Sequence, residues 1–168
     1  MKFSAALVLA VSVLISGCGY KLGEIRPTPM RSVRTLAIPT FKNRTFKPRL
    51  EVLFADTVVK RFQQDGTYEL VADDKADAIL YCTIDKIETR ALRSVQNNVL
   101  ATSEYGLRVF VQYEVQDRVT GAILMQGTAV ANTSFFSGND IQTIERQALS
   151  NAASDLANIL MSTVSEGW

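Results

Sequence analysis

Leu107-Arg108-Val109-Phe110-Val111-Gln112-Tyr113-Glu114-Val115-Gln116 alternates without a break. Leu107, Val109, Val111, Tyr113 and Val115 share one parity, and Arg108, Phe110, Gln112, Glu114 and Gln116 share the other. Successive strand side chains point to opposite faces, so this is a strand with one face in a core and one face largely wet. Asp117 to Gly121 supplies turn residues, and Ala122 to Phe136 reads as the returning strand of a hairpin. Its small residues Gly127, Ala129 and Ala131 leave room for a helix to lie close. Upstream, Ala78 to Leu92 is a further long strand in which Leu80, Cys82 and Ile84 share a face and Ile87 does not. A bulge near Asp85 and Lys86 is therefore expected. The polar segment Arg93 to Ser103 reads as the connection, with a turn at Asn97-Asn98.

Two amphipathic helices flank this β region. Leu50, Leu53, Phe54, Val58 and Phe62 recur at spacings of three and four, after a proline (Pro48) suited to a first turn and before Gly66 as terminator. Ile141, Ile144, Ala148, Ala152, Leu156, Ile159 and Thr163 trace the inner face of a final helix, with Asn139 and Gln142 as a capping pair and an end near Ser165. Val33 to Thr40 reads as a first strand ending where Pro39 loses a ladder donor, and Thr67 to Ala72 as a short one. Between them, Phe41 to Pro48 is a loop of interleaved aromatic and cationic residues, able to meet an anion or a glycolipid head group, or simply solvated with its Phe side chains tucked inward. Asp73 to Asp77 reads as a turn. The expected fold class is α+β: two helices packed on one face of a mixed, roughly four-stranded sheet.

The amino-terminal stretch has a different job. Lys2 precedes the run Phe3 to Ile15, thirteen apolar or small residues, too short to span a bilayer and of the length of a signal-peptide core. Leu14-Ile15-Ser16-Gly17-Cys18 then resembles the lipobox of bacterial lipoproteins. That resemblance implies cleavage before Cys18, a lipid on its thiol and an acylated amino terminus; Gly19 rather than Asp after the cysteine favours the outer membrane. Three regions result: 1–17 signal peptide, 18–32 lipidated amino terminus and extended linker, and 33–168 a single domain.

Removal of residues 1–17 leaves 151 residues, enough for one well-buried core. Cys82 is then without a disulfide partner and reads as a small buried hydrophobe. The chain contains no histidine, which excludes Ser/His/Asp and Cys/His catalysis and removes the commonest metal ligand. No glycine-rich phosphate loop is present and no nucleophile has an evident base, so neither an enzyme nor a cofactor is expected. Charge is divided: residues 21–49 hold eight cations and Glu24, a net +7, whereas residues 50–168 hold nine cations and sixteen acids, a net −7. A cationic segment beside a lipid anchor suits an anionic membrane surface or the acidic remainder of its own domain. Nucleic acid is not an expected partner, because export separates the chain from it.

Cys18-Gly19-Tyr20, the motif Ala101-Thr102-Ser103-Glu104-Tyr105 and Ser134-Phe135-Phe136 before a long final helix together resemble the LptE family of lipopolysaccharide-assembly lipoproteins. The resemblance implies a non-enzymatic protein that plugs a large β-barrel translocon, LptD, assists its assembly and binds lipopolysaccharide on its way to the cell surface. Basic residues upstream of the Glu-Tyr motif are associated with lipopolysaccharide in that family; here the candidates are Arg90, Arg93 and then Arg108, on the wet face of its strand. A second resemblance is carried by Leu36-Ala37-Ile38-Pro39-Thr40-Phe41 with Asn43, similar to the first strand and loop of CsgG-like and penicillin-binding-protein-activator lipoproteins. It implies a secretion subunit or a regulator of cell-wall synthesis, and the Glu104-Tyr105 and Phe135-Phe136 motifs favour the first reading.

Overall fold

The structure, a computed structural model, describes residues 26–95, 98–138 and 140–167; Cys18, Asn97 and Asn139 lie outside them. After a single helical turn at Thr28–Met30, the elements are β1 (Thr35–Ala37), β2 (Lys42–Asn43), α1 (Leu50–Asp65), β3 (Glu69–Leu70), β4 (Ala78–Val95), β5 (Asn98–Asp117), β6 (Ile123–Phe136) and α2 (Ile141–Glu166). The strands form one mixed sheet in the order β3-β1-β4-β5-β6, with β2 as a further parallel partner of β4. β4, β5 and β6 make an antiparallel meander, while β1 runs parallel to β3 and β4.

The alternation in β5 translates directly into burial. Leu107, Val109, Val111 and Val115 are all fully buried, and the helices lie over that face. On β6, Ala129 and Ala131 stand opposite Val111 and Val109, so small residues sit beside larger ones and α2 can approach. Gly127 faces Tyr113, and a Cβ there would stand 2.7 Å from the Tyr113 hydroxyl oxygen. The expected bulge is present: Ile84 pairs with Val111 and Lys86 with Phe110, leaving Asp85 as the extra residue. That insertion turns Ile87 back to the core side, where it packs against the main cluster.

The sheet has six strands rather than about four, and two of its strands run farther than expected. Around Pro39 the chain leaves the ladder, so the expected strand 33–40 shrinks to Thr35–Ala37, and the chain re-pairs farther along β4 through Lys42 and Asn43. The segment 93–103, expected as a polar connection, carries the two long strands onward to Val95 and from Asn98. The residues of this segment are mostly polar and show no apolar period, so spacing could not reveal the strand pairing.

Helix boundaries follow local chemistry. α1 starts at Leu50, two residues after Pro48, and ends at Gly66 with φ 73°. Phe54, Val58 and Phe62 make its buried stripe, as the spacing predicts. α2 is capped by Asp140, whose carboxylate accepts from the Thr143 N–H at 3.1 Å, and ends at Gly167 with φ 84°. Its buried face is wider than the expected stripe and includes Leu149, Ala153, Ala157, Leu160, Met161 and Val164, while Ile159 and Thr163 are only half-buried. The widening has a simple origin: α2 packs on the sheet and on α1 together. Cys82 is buried in this core, and the loss of solvation pushes its thiol far above the ordinary range, which makes it inert.

Candidate functional site

Opposite the helices no described residue packs over most of the sheet's length. Among the described residues the β3–β4 loop covers it near its β1 end, closing Ala76 and Val71 over Ala37 and Ile79. Arg118 donates to the Ala76 carbonyl at 2.7 Å and fastens that cover. Beyond it the bare face is lined by the second parity of β5 and its neighbours.

The register brings the sequence candidates to this face. Across the sheet Glu88, Arg108 and Asn132 stand side by side, as do Lys86, Phe110 and Val130 one pair along, and Arg90, Gly106 and Ser134 on the other side. Glu88 accepts from Lys86 at 2.8 Å and from Arg90 at 3.3 Å. The Lys86 hydrogen bond first, then the charges of Lys86, Arg90 and Arg108, hold the Glu88 carboxyl below the usual carboxylate range. Three cations around a single carboxylate leave an excess of positive charge that an incoming anion would relieve. Lys86 and Arg108 also lie over the Phe110 ring, at 4.3 and 5.0 Å from its centroid, and Arg108 donates to Asn132 at 3.2 Å.

Beside these cations is an apolar element. Arg90, Leu92, Gly106, Arg108 and Asn132 line a cavity of about 190 Å³. Leu92 is more than half exposed and lies over Gly106, whose added Cβ would meet it at 3.2 Å. Leu92 is the extra residue of a second bulge, between Ala91 and Arg93. Phe136, on the strand next to Glu104, is likewise exposed. Charge and exposed hydrocarbon therefore meet on one patch, which matches an amphiphile carrying negative groups better than a free ion.

Arg90 and Arg108 are thus together on the patch. Arg93 stands on the neighbouring pair, bound to Glu104 at 3.3 Å, with Glu104 nearly buried and Arg93 largely exposed. Lys86, Leu92 and Asn132 were not among the sequence candidates. The bulge at Asp85 was the available signal for Lys86, since it shifts Lys86 onto the parity of the wet face. Nothing in the sequence signalled Asn132, which comes from another strand.

The two short motifs meet as register partners. Tyr105 pairs with Phe135 and Glu104 with Phe136, and the Tyr105 and Phe135 rings stack at 5.4 Å and 20° on the core side. They brace the sheet directly behind the patch. A larger trough of about 810 Å³ occupies the same bare face toward β1, lined by Tyr81, Thr83, Gln112, Glu114, Gln126 and Thr128, with Lys42 and Arg44 also on its lining. It is rich in hydrogen-bonding groups but lacks the concentration of cations found around Glu88. Among the described residues no helix is long and apolar enough to cross a membrane, and no cluster of metal-ligating side chains occurs.

The family model described as "LptE: Lipopolysaccharide-assembly" matches residues 33–164. No curated protein sequence matches the chain. Among solved structures, the chain is similar to protein XCC0632 from Xanthomonas campestris, at 11% identity and TM-score 0.56 over 80% of this chain and 85% of that one. It is similar to a minor lipoprotein from Acinetobacter baumannii, at 17% identity and TM-score 0.54 over 79% and 92%. A third likeness is to the PelC dodecamer from Paraburkholderia phytofirmans, at 14% identity and TM-score 0.51 over 79% and 86%. At these identities the likeness concerns the fold.

Proposed function

The chain belongs to the LptE lipopolysaccharide-assembly family, and from that premise we propose that it is a non-enzymatic outer-membrane lipoprotein, anchored through Cys18, that binds lipopolysaccharide. In this reading the domain 33–168 seats in an LptD-like β-barrel, assists its assembly, and holds lipopolysaccharide during transfer to the cell surface. The observation that carries it is the patch where Lys86, Arg90 and Arg108 surround Glu88 beside exposed Leu92 and Phe136. A lipopolysaccharide presents phosphates next to acyl chains, and the patch offers cations next to hydrocarbon. Both groups of the ligand are served without rearranging the core.

The barrel role draws support from the other property of this face. A plug must present a stiff polar surface to a polar lumen, and a long sheet backed by two helices does so. Gln112, Gln126 and Thr128 can exchange water for lumen groups at little cost in desolvation, because both environments hydrogen-bond.

Co-purification from detergent-solubilised outer membranes, with a tag at the carboxyl terminus, tests the assembly. Recovery of a large β-barrel protein together with lipopolysaccharide is the expected result; recovery of a peptidoglycan synthase, or of rings of this chain alone, would sink the reading. The double variant Arg90→Gln/Arg108→Gln tests the patch. With each lost charged contact worth about 1.5 kcal/mol, lipopolysaccharide capture should fall by roughly a hundredfold while thermal stability stays within about 2 °C of the parent. Unchanged capture would remove the patch from the mechanism even with the barrel partner recovered.

A further inference from the structure

We propose that the loop joining β2 to α1 is a second membrane contact, in which Phe46 enters the interface of an anionic lipid leaflet and Lys42 and Arg49 meet its phosphates. The inference rests on the lipid-anchored reading above; it puts this loop at the rim of the barrel-facing surface, where Lys42 borders the trough, and turns Phe46 toward the leaflet that holds the acyl chains.

Phe46 is exposed over its whole side chain, at 105% of the reference, more than any other large apolar residue described. Its position is held by built structure. The Asn43 amide donates to the Lys47 carbonyl at 2.7 Å and to Glu51 at 2.9 Å, and its oxygen accepts from the Thr45 N–H at 2.9 Å and the Thr45 hydroxyl at 2.7 Å. The loop is fastened on both sides of Phe46. Phe41, at the other end, is buried and roots the loop in the core. Arg49 adds a second unusual feature: with φ 66°, it is the sole described non-glycine residue in the left-handed region. That conformation is unfavourable for a residue with a Cβ and persists only where the surroundings impose it. An exposed aromatic ring on a loop fastened by so many contacts is presented to an apolar medium without first ordering its backbone, and the bilayer interface accepts such rings.

Charge decides which medium. Lys47 is bound to Glu145, and Arg44 stands 3.8 Å from Asp85. The side chains of Lys42 and Arg49 are exposed and have no acidic partner among the described residues. Two uncompensated cations flanking an exposed ring complement a surface that is apolar inside and anionic outside. A lipid anchor gains from such a contact, since stable placement on a membrane takes a second signal beyond an acyl chain.

The spacing is compatible. Arg26 is fastened at the far end of α1, where it donates to the Thr67 carbonyl at 2.9 Å. The sixteen residues of α1 rise about 24 Å from there to the loop. Cys18 to Arg26 can extend at most about 28 Å, so a lipid on Cys18 and Phe46 can reach one surface together.

The test places a probe at the ring. The full chain carrying Phe46→Trp and Trp168→Phe is reconstituted into vesicles of phosphatidylcholine with or without phosphatidylglycerol, with brominated acyl chains as quencher. A blue-shifted emission that brominated lipid quenches, more strongly in the anionic vesicles, is expected. Lys42→Gln/Arg49→Gln should weaken the anionic preference by roughly fivefold for each cation removed. Emission that stays water-like in both vesicles overturns the proposal, as does quenching indifferent to lipid charge. Shielding seen only when a barrel protein is present overturns it in favour of a protein contact. Loss of barrel co-purification with quenching intact would instead overturn the assembly reading and leave this contact standing.

Discussion

The two faces of β5 lie one residue apart along the chain and obey different physics. Val109 is fully buried in a core shared by four strands and both helices, while Arg108 beside it meets Asn132, Phe110 and the charge cluster around Glu88 on the open face. On the first face each side chain is constrained by volume, because the interior is close-packed and cannot absorb an error. On the second, side chains are constrained by whatever docks there. Stability is therefore concentrated in one parity, and recognition is free to occupy the other.

The comparison breaks most sharply with a pair of neighbouring substitutions. Val109→Asp places a carboxylate where no water reaches and should cost about 4 kcal/mol or more, abolishing cooperative unfolding at ambient temperature. Arg108→Gln, one residue away, should shift stability by less than about 0.5 kcal/mol. Equal losses in a denaturant titration would mean that the bare face is structural as well.

Gly127 sharpens the same contrast at the level of shape. Gly127→Ala puts a methyl 2.7 Å from the Tyr113 hydroxyl oxygen, and repacking should cost about 1–3 kcal/mol. Ala129, next on that face and 3% exposed, would extend the effect if enlarged, whereas Thr128 on the other face should tolerate Val within about 0.5 kcal/mol. Calorimetry on the three single variants orders them.

A smaller effect separates the exposed turns from the core. Asp77 accepts from the Arg34 and Thr35 N–H groups, both at 2.9 Å, and ties the start of β1 to the start of β4. Asp77→Ala should cost about 1 kcal/mol or less, the value being reduced by exposure. The Thr35 and Arg34 hydrogen bonds hold the Asp77 carboxyl below its ordinary value, and contacts from Thr120 and Thr143 do the same for Asp117 and Asp140. A depressed folded-state pKa contributes stability above the unfolded value, near 3.8. That contribution is lost as pH falls through the lower folded values, so acid unfolding should steepen below about pH 4. The Asp77→Ala variant should lose part of that steepness; an unchanged acid profile would show that these turns do not report on folding.

Much of this architecture was legible in residue spacing. The alternation from Leu107 to Gln116, the small residues of β6, the α1 stripe and the parity break at Ile87 each correspond to what the structure holds. Spacing failed at residues 93–103, where a polar stretch without an apolar period pairs as strand. It failed again where an element buries more than one face, as in α2. The patch was legible in part: Arg90 and Arg108 could be named, but Lys86 and Asn132 could not, because they reach it through a bulge and a neighbouring strand.

What the sequence determined by itself was the set of faces, the α+β class, the absence of histidine chemistry and the expectations of a lipid on Cys18 and an unpaired Cys82, all properties of residue type and local period. The tertiary structure decided the strand order β3-β1-β4-β5-β6, the second parallel landing of the chain at Lys42 and Asn43, and the grouping of Lys86, Arg90 and Arg108 around Glu88. These are pairings between distant segments. Local period states which way a side chain points, and only the register between strands states what stands beside it.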